Sequence, residues 1–519
     1  MRTNILKKNY TTDDIEIDEI PLEEKKKIRK ASKKAKMPKQ QEPPMDRKTK
    51  NRELVGVSYF IVTMFLSLAV YLVYFNFTKT ENINSITYNT KQESKEKQII
   101  RGHIYSIDGE ILAGTNVNAE DGSETRVYPL NNIFSHVVGY ASNGKSGVEA
   151  TSGYDLLSSH ASILDQLENE DEDVKVRGDS VVLTLDSKLQ RAVYDALGDY
   201  KGAIVVMEPS TGKILAMVSK PDFNPNTINE DWDSLISDTT NSSLFNRAAQ
   251  GQYPPGSTFK ILTTLAYMRQ HPDDYMNYSY TCQGSISRED VTITCYGGSV
   301  HGTVNLEEAF THSCNGAFAN IGMELDNSSF ISLCEDFSFN SELPIDMASS
   351  KSLFRLDANA SYGEEMMTAI GQGDTLVSPL EMAMITSAMA NGGIMMKPYY
   401  VDHIETYDGD SVKQYKPSKY KEVMTAEEAA VISDLMTKTV ESGTASALSG
   451  FGYSVAGKTG SAEFEINENY KGTHSWFVGF SNVNNPDIVI SVIAEEGGSG
   501  SSVAVPIAQK VFDAYYNGY

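Results

Sequence analysis

The stretch Tyr253-Pro-Pro-Gly-Ser-Thr-Phe-Lys-Ile-Leu-Thr-Thr-Leu-Ala-Tyr-Met-Arg-Gln270 decides how the rest of the chain is read. Pro254, Pro255 and Gly256 break whatever precedes them, and the apolar run beyond predicts a helix that stops near His271-Pro272. Ser257 falls on the first turn of that helix, and Lys260, three residues on, shares its face. A hydroxyl beside an amine among apolar residues is a candidate nucleophile with its base, because burial lowers the lysine's affinity for its proton. Alone the pattern is weak, since Ser-x-x-Lys recurs at Ser94, Ser142, Ser210 and Ser418. The Ser210 match lies at Pro209-Ser-Thr-Gly212 between two strand-like runs, where turn chemistry accounts for it.

Two later segments single out Ser257. Residues 306–323 read as two helical stretches interrupted at Ser313-Cys314-Asn315. Such a junction can aim a hydroxyl and an amide into a cleft, although an ordinary N-cap has the same composition. Ser454-Val-Ala-Gly-Lys-Thr-Gly-Ser-Ala-Glu-Phe464 reads as a strand, with Trp476–Phe480 and Ile488–Ala494 as its sheet partners. In it Lys458, Thr459 and Ser461 supply a cation and hydroxyls for a carboxylate, and Gly460 lets a substrate backbone come close. An ordinary strand with a polar outer face is the simpler alternative.

Before the serine, Asp179–Asp186 reads as a strand and Ser187–Leu197 as a helix. The strands Gly202–Glu208 and Lys213–Ser219 follow, which indicates an antiparallel α+β domain. Further upstream, apolar alternation on both sides of Asp108-Gly109 predicts a hairpin. The acidic run Glu168–Asp173 marks a solvated boundary. No clustered acid, base or nucleophile occurs between residues 78 and 178, so this region reads as a non-catalytic module.

A chain of 519 residues is long enough for two or three domains. Residues 1–53 hold 16 Lys+Arg against 10 Asp+Glu, whereas the whole chain has a net charge of −24. That acidic bulk argues against nucleic acid as a partner. Leu54–Thr78 is a run of 25 residues without a formal charge, and a bilayer needs about 20. Arg47, Lys48, Lys50 and Arg52 precede it, so the positive-inside rule places residues 1–53 in the cytoplasm and the chain beyond Lys79 outside.

Ser-x-x-Lys, Ser-x-Asn and Lys-Thr-Gly in this order resemble the signature of penicillin-binding proteins and class A β-lactamases. The chain is similar to the class B penicillin-binding proteins, which are peptidoglycan D,D-transpeptidases. RGHIYSIDGEILA resembles their pedestal signature, and GAIVVMEPSTGKILAMVSKPDFNPN the entry to their catalytic domain. FNRAAQGQYPPGSTFKI is similar to their nucleophile segment, and AIGQGDTLVSPLEMAMITSAMANGG to the stretch before the last helices and sheet.

The resemblance implies a penicillin-binding/β-lactamase-like α+β transpeptidase domain over 179–519, an antiparallel sheet flanked by helices. Ahead of it come a β-rich pedestal of dimerisation type (79–178), one transmembrane helix (54–78) and a basic disordered tail (1–53). It further implies that Ser257 attacks the D-Ala-D-Ala end of a stem peptide, with Lys260 as base, Ser313 as proton relay and Asn315 orienting Lys260 or the substrate. Lys458, Thr459, Gly460 and Ser461 bind the substrate, and β-lactams acylate Ser257. No cofactor or catalytic metal is required. A SEDS-type membrane glycosyltransferase is the implied partner beside the lipid bilayer.

Three alternatives stay open: a D,D-carboxypeptidase, a β-lactamase, or a scaffold that activates a membrane glycan polymerase. Glu324-Leu-Asp-Asn327 superficially resembles the water-positioning element of a β-lactamase. All four cysteines, Cys282, Cys295, Cys314 and Cys334, lie in the catalytic region. A Cys282–Cys295 disulfide, a zinc site of Cys282, Cys295 and His301 with Cys314 as a fourth ligand, and free thiols are all compatible with the spacing.

Overall fold

The computed structural model describes residues 47–78, 96, 98–160, 175–467 and 470–518. The expected tail through residue 46, most of the linker and the acidic run at 168–173 lie outside the described residues. Arg47–Thr78 is a helix of 32 residues whose side chains from Val55 to Tyr71 are exposed. Among the described residues no helix is long and apolar enough to cross a membrane, so the expected span is not shown.

A five-stranded antiparallel sheet organises the catalytic region. Its spatial order is Val455–Asn467, Tyr470–Ser481, Val489–Ala494, Gly202–Met207 and Ile214–Lys220. Both faces are covered, which is why GAIVVM and VISVIA are buried at every position and, Ser491 apart, apolar without alternation. Successive side chains still point to opposite faces. Ile204 and Val206 meet Leu189, Val193 and Phe512 of the helices Ser187–Leu197 and Ala504–Asn517. Ala203, Val205 and Met207 join the larger core with Leu262 and Leu380. The helix Pro379–Ala390 is buried almost all round and accordingly carries no polar stripe.

The expected hairpin forms: Gly109, at φ 83°, closes the turn between Ile104–Tyr105 and Ile111–Val117. The hairpin also reaches the catalytic region. Asp108 accepts from Ser187 N at 2.9 Å and from Ser187 Oγ at 2.7 Å, bracing the start of the helix that follows. A second sheet joins the regions more firmly. It runs Ser411–Gln414, Val401–Glu405, Ser180–Leu183, Ile104–Tyr105, Ile111–Val117, Glu124–Val127. Beside it Glu149 is fully buried and satisfied by Arg101 at 2.6 Å and Arg126 at 2.7 Å. Removing any member of this cluster would strand a buried charge.

Candidate active site

Three elements converge at Ser313. The sequence places Ser257 on the first turn of an α-helix; the structure places it on a 3-10 turn, Gly256–Phe259, and the α-helix begins at Lys260. The cause is partly a tertiary contact. Gly256 takes φ 54°, and its N–H donates to Gly371 O at 2.8 Å, which tightens the entry before regular helix can start. A Cβ on Gly256 would lie 3.0 Å from Ser461 O, so the turn and the Lys-Thr-Gly strand are in direct contact.

Lys260 is fully buried, and its Nζ donates to Ser313 O at 2.9 Å, Ser313 Oγ at 3.2 Å and Asn315 Oδ1 at 2.7 Å. Its proton affinity falls to about 7, because burial outweighs the opposing influence of Cys314 and Cys295. The Ser-x-Asn segment is the expected interruption between helices Leu306–Thr311 and Asn315–Glu324. Ser313 itself sits at φ 56°, a rare conformation for a residue with a side chain. Asn315 uses its other end to donate to Thr294 O at 3.0 Å, tying the junction to the hairpin Ser285–Thr294.

Lys458 is also fully buried, and its Nζ donates to Ser313 Oγ at 3.0 Å. Burial, and secondarily the charge of Lys260, holds it well below the usual lysine range. Thr459 shares a 2.6 Å hydrogen bond with the hydroxyl of Thr444, and Ser461 Oγ accepts from Gly500 N at 3.1 Å. Gly460 is closely packed. A Cβ there would lie 3.0 Å from both Pro255 O and Thr258 Cγ2 and 3.1 Å from Trp476 Cβ. The space it leaves is filled by the nucleophile turn, and Trp476 Nε1 donates to Pro254 O at 3.0 Å beside it.

Sequence reasoning missed Thr294, Thr444 and Gly500, which are remote along the chain and belong to no local pattern. The Ser94 match lies outside the described residues, and two of the other competing lysines have structural partners. Lys213 pairs with Asp402 at 2.9 Å, and Lys421 donates to Ser338 Oγ at 3.1 Å. In the β-lactamase-like element, Glu324 accepts from Asn320 at 2.6 Å, Asp326 caps the next helix, and Asn327 donates to Glu365 at 2.8 Å.

The four cysteines are free. Ligand atoms of Cys282, Cys295, His301 and Cys314 all lie within 4.8 Å of one another. The sulfurs of Cys282 and Cys295 are 3.6 Å apart, those of Cys295 and Cys314 3.9 Å, and Cys282 lies 3.5 Å from His301 Nδ1. A disulfide needs about 2.05 Å, whereas thiolates on tetrahedral zinc stand about 3.8 Å apart. The hydrogen bond between Cys314 and Cys295 lowers the Cys295 thiol and raises that of Cys314, so the two share a proton. The donor set and spacing therefore fit zinc.

Known proteins place this geometry. Residues 202–513 match the penicillin-binding protein transpeptidase domain, and residues 101–181 match the penicillin-binding protein A dimerisation domain. The peptidoglycan D,D-transpeptidase PbpA of Mycolicibacterium smegmatis is 30% identical over 443 residues, covering 78% of this chain and 88% of that protein. Stage V sporulation protein D of Bacillus subtilis is 30% identical over 476 residues, covering 86% of this chain and 71% of that protein. Penicillin-binding protein A from M. tuberculosis, solved as a ceftriaxone acyl-enzyme, superposes with a TM-score of 0.75. It is 28% identical, and the match covers 82% of this chain and 100% of that one.

Proposed function

This chain belongs to the class B penicillin-binding proteins, and we propose that it cross-links peptidoglycan stem peptides through an acyl-enzyme on Ser257. The observation that carries the residue assignment is the convergence of Lys260, Ser313, Asn315 and Lys458 within hydrogen-bond reach beside the Ser257 turn. Neutral Lys260 takes the Ser257 proton as the oxygen attacks the penultimate D-Ala carbonyl. The backbone N–H groups of Ser257 and Ser461 stabilise the oxyanion, each contributing about 3 kcal/mol. As the C–N bond breaks, Ser313 passes the proton from Lys260 to the leaving amine, and D-Ala departs. An acceptor amine from a second stem then attacks the ester, gives up its proton by the same route, and releases Ser257. Lys458, Thr459 and Ser461 hold the terminal carboxylate, and the peptide lies against the edge of their strand. A β-lactam meets the same residues and leaves its opened ring on Ser257.

Membrane anchoring is part of the same reading. Its support is the 25-residue uncharged run, the basic residues before it, and exposed side chains such as Phe60 at 71% and Val70 at 68%. Residues 1–53 then lie in the cytoplasm, 79–178 form the pedestal, and 179–519 work outside the membrane. A SEDS-type membrane glycosyltransferase is the partner assigned to the span and pedestal, on the family resemblance. Cys282, Cys295, His301 and Cys314 are the residues that would hold zinc; when bound, the metal supplies a structural cross-link next to the Ser-x-Asn junction.

Labelling the full chain with a fluorescent penicillin tests the reading. Wild type takes up one label per chain and Ser257→Ala takes up none while remaining folded. An unlabelled wild type, or label retained by the variant, overturns it. Product analysis with an acceptor peptide separates cross-linking from hydrolysis.

A further inference from the structure

Among the described residues the strand Val455–Asn467 is the last in its sheet and pairs only with Tyr470–Ser481, so its outer side offers backbone groups to an added strand. Alternate residues face that side. Gly460 pairs with Trp476 and alternates with Ser461, so its backbone groups face the partner strand when those of Ser461 face out. Ser461 faces outward, with its carbonyl beside Gly256. Glu463, two residues on, shares that orientation, and there the edge is already occupied. With its amide oriented to satisfy both contacts, Gln372 donates to Glu463 O at 3.0 Å and accepts from Glu463 N at 3.1 Å. One side-chain amide thus takes both groups that a further residue of an added strand would use.

The position of Gln372 is fixed by the nucleophile turn. Its own N–H donates to Met367 O at 2.9 Å, and Gly371 O accepts from Gly256 N at 2.8 Å. Gly371 takes φ 72°, and a Cβ on it would lie 2.2 Å from Gly256 O, so no other residue fits against the turn. The loop therefore brings Gln372 to the edge in fixed register with Ser257.

We propose that Gln372 is a specificity-determining residue that closes the substrate-pairing edge at Glu463. The inference rests on the acyl-transfer reading above. With the terminal carboxylate at Lys458 and Thr459 and the reacting carbonyl at Ser257, the peptide runs antiparallel to the strand, its N-terminal side heading toward Glu463. Backbone pairing ends at Ser461. The enzyme reads the last three residues of the stem as a strand and turns the upstream residues away from the sheet.

The test compares kcat/KM for D-Ala release from Nα-acylated peptides of three and of five residues, all ending in D-Ala-D-Ala. Full-length wild type gives a five-to-three ratio near one. Gln372→Met keeps the side-chain length without the amide, and its ratio rises about fivefold, mainly through KM, as one recovered backbone pair requires. Gln372→Glu, which loses the donor and repels the Glu463 carbonyl, shifts the ratio the same way. Penicillin labelling is run on each protein, and the ratio is read on whichever variant labels fully. A ratio equal to wild type in a fully labelled variant overturns the proposal, as does loss of labelling in both variants, which would make Gln372 a brace for the nucleophile turn. A wild type that does not label would instead overturn the acyl-transfer reading.

Discussion

Lys260 and Lys458 converge on a single hydroxyl, their Nζ atoms lying 3.2 Å and 3.0 Å from Ser313 Oγ, and both side chains are fully buried. Burial lowers the proton affinity of both, and the charge of Lys260 lowers that of Lys458 further. Both lysines therefore lose a proton below the usual lysine range. Ser313 can then accept from Lys458 while its own proton is free to move, which is what a relay needs.

Acylation should follow the charge of Lys260. Its proton is lost in the folded protein at about 7, so the base form falls tenfold per pH unit below that value and saturates above it. The second-order rate of penicillin acylation, measured from pH 5 to 9, should rise and level off near pH 7. A profile flat across that range would remove Lys260 as the base.

Asn315→Ala removes the 2.7 Å contact to Lys260 and the tie to Thr294 together. Acylation should slow by roughly 100-fold, the lower end of what positioned proton transfer contributes. Thermal melting, measured in parallel, should show the protein folded. An acylation rate within threefold of wild type would show that Lys260 is oriented without Asn315.

Gly460→Ala forces a methyl against Pro255 O and Thr258 Cγ2, each 3.0 Å away. Overpacking of this kind destabilises by about 1–3 kcal/mol and moves backbone. Melting temperature and acylation rate should fall together, because the strand and the nucleophile turn separate. A normal melting temperature with lost carboxylate binding would instead favour direct substrate contact at Gly460.

Protein purified without chelator should contain one zinc per chain, and Cys282→Ser or Cys295→Ser should lower that content. Chelation should lower the melting temperature of wild type but not of the variants. Elemental analysis and calorimetry read both effects. Metal-free wild type that melts identically with and without chelator would exclude the site.

Glu381 is fully buried, and burial raises its pKa from 4.5 to about 8 against the opposing influence of Ser352 and Lys421. The folded protein holds this proton more tightly than the unfolded chain. Its stabilising effect is therefore complete below about pH 4.5 and is lost as pH rises through about 8. Glu381→Gln should raise the melting temperature at pH 8 and leave it nearly unchanged at pH 4.5. An equal gain at both values would mean the carboxyl is not protonated on folding.

The strands and helices of the catalytic sheet were legible because their local signals agree. The helix Ser187–Leu197 begins at the Asp186 cap and ends before Gly198, as capping rules require. The three motifs could be read because Ser257 and Lys260, Ser313 and Asn315, and Lys458 to Ser461 each keep chemistry within a few residues. By itself the sequence determined the elements, the order of the motifs and the reactive residue types, since those depend on neighbours in the chain. Only the tertiary structure decided that Lys260 and Lys458 meet at Ser313, that Gly460 makes room for the nucleophile turn, and that Gln372 ends the open edge at Glu463. These are contacts between segments tens to hundreds of residues apart, fixed by how the elements pack, and no local period or cap records them.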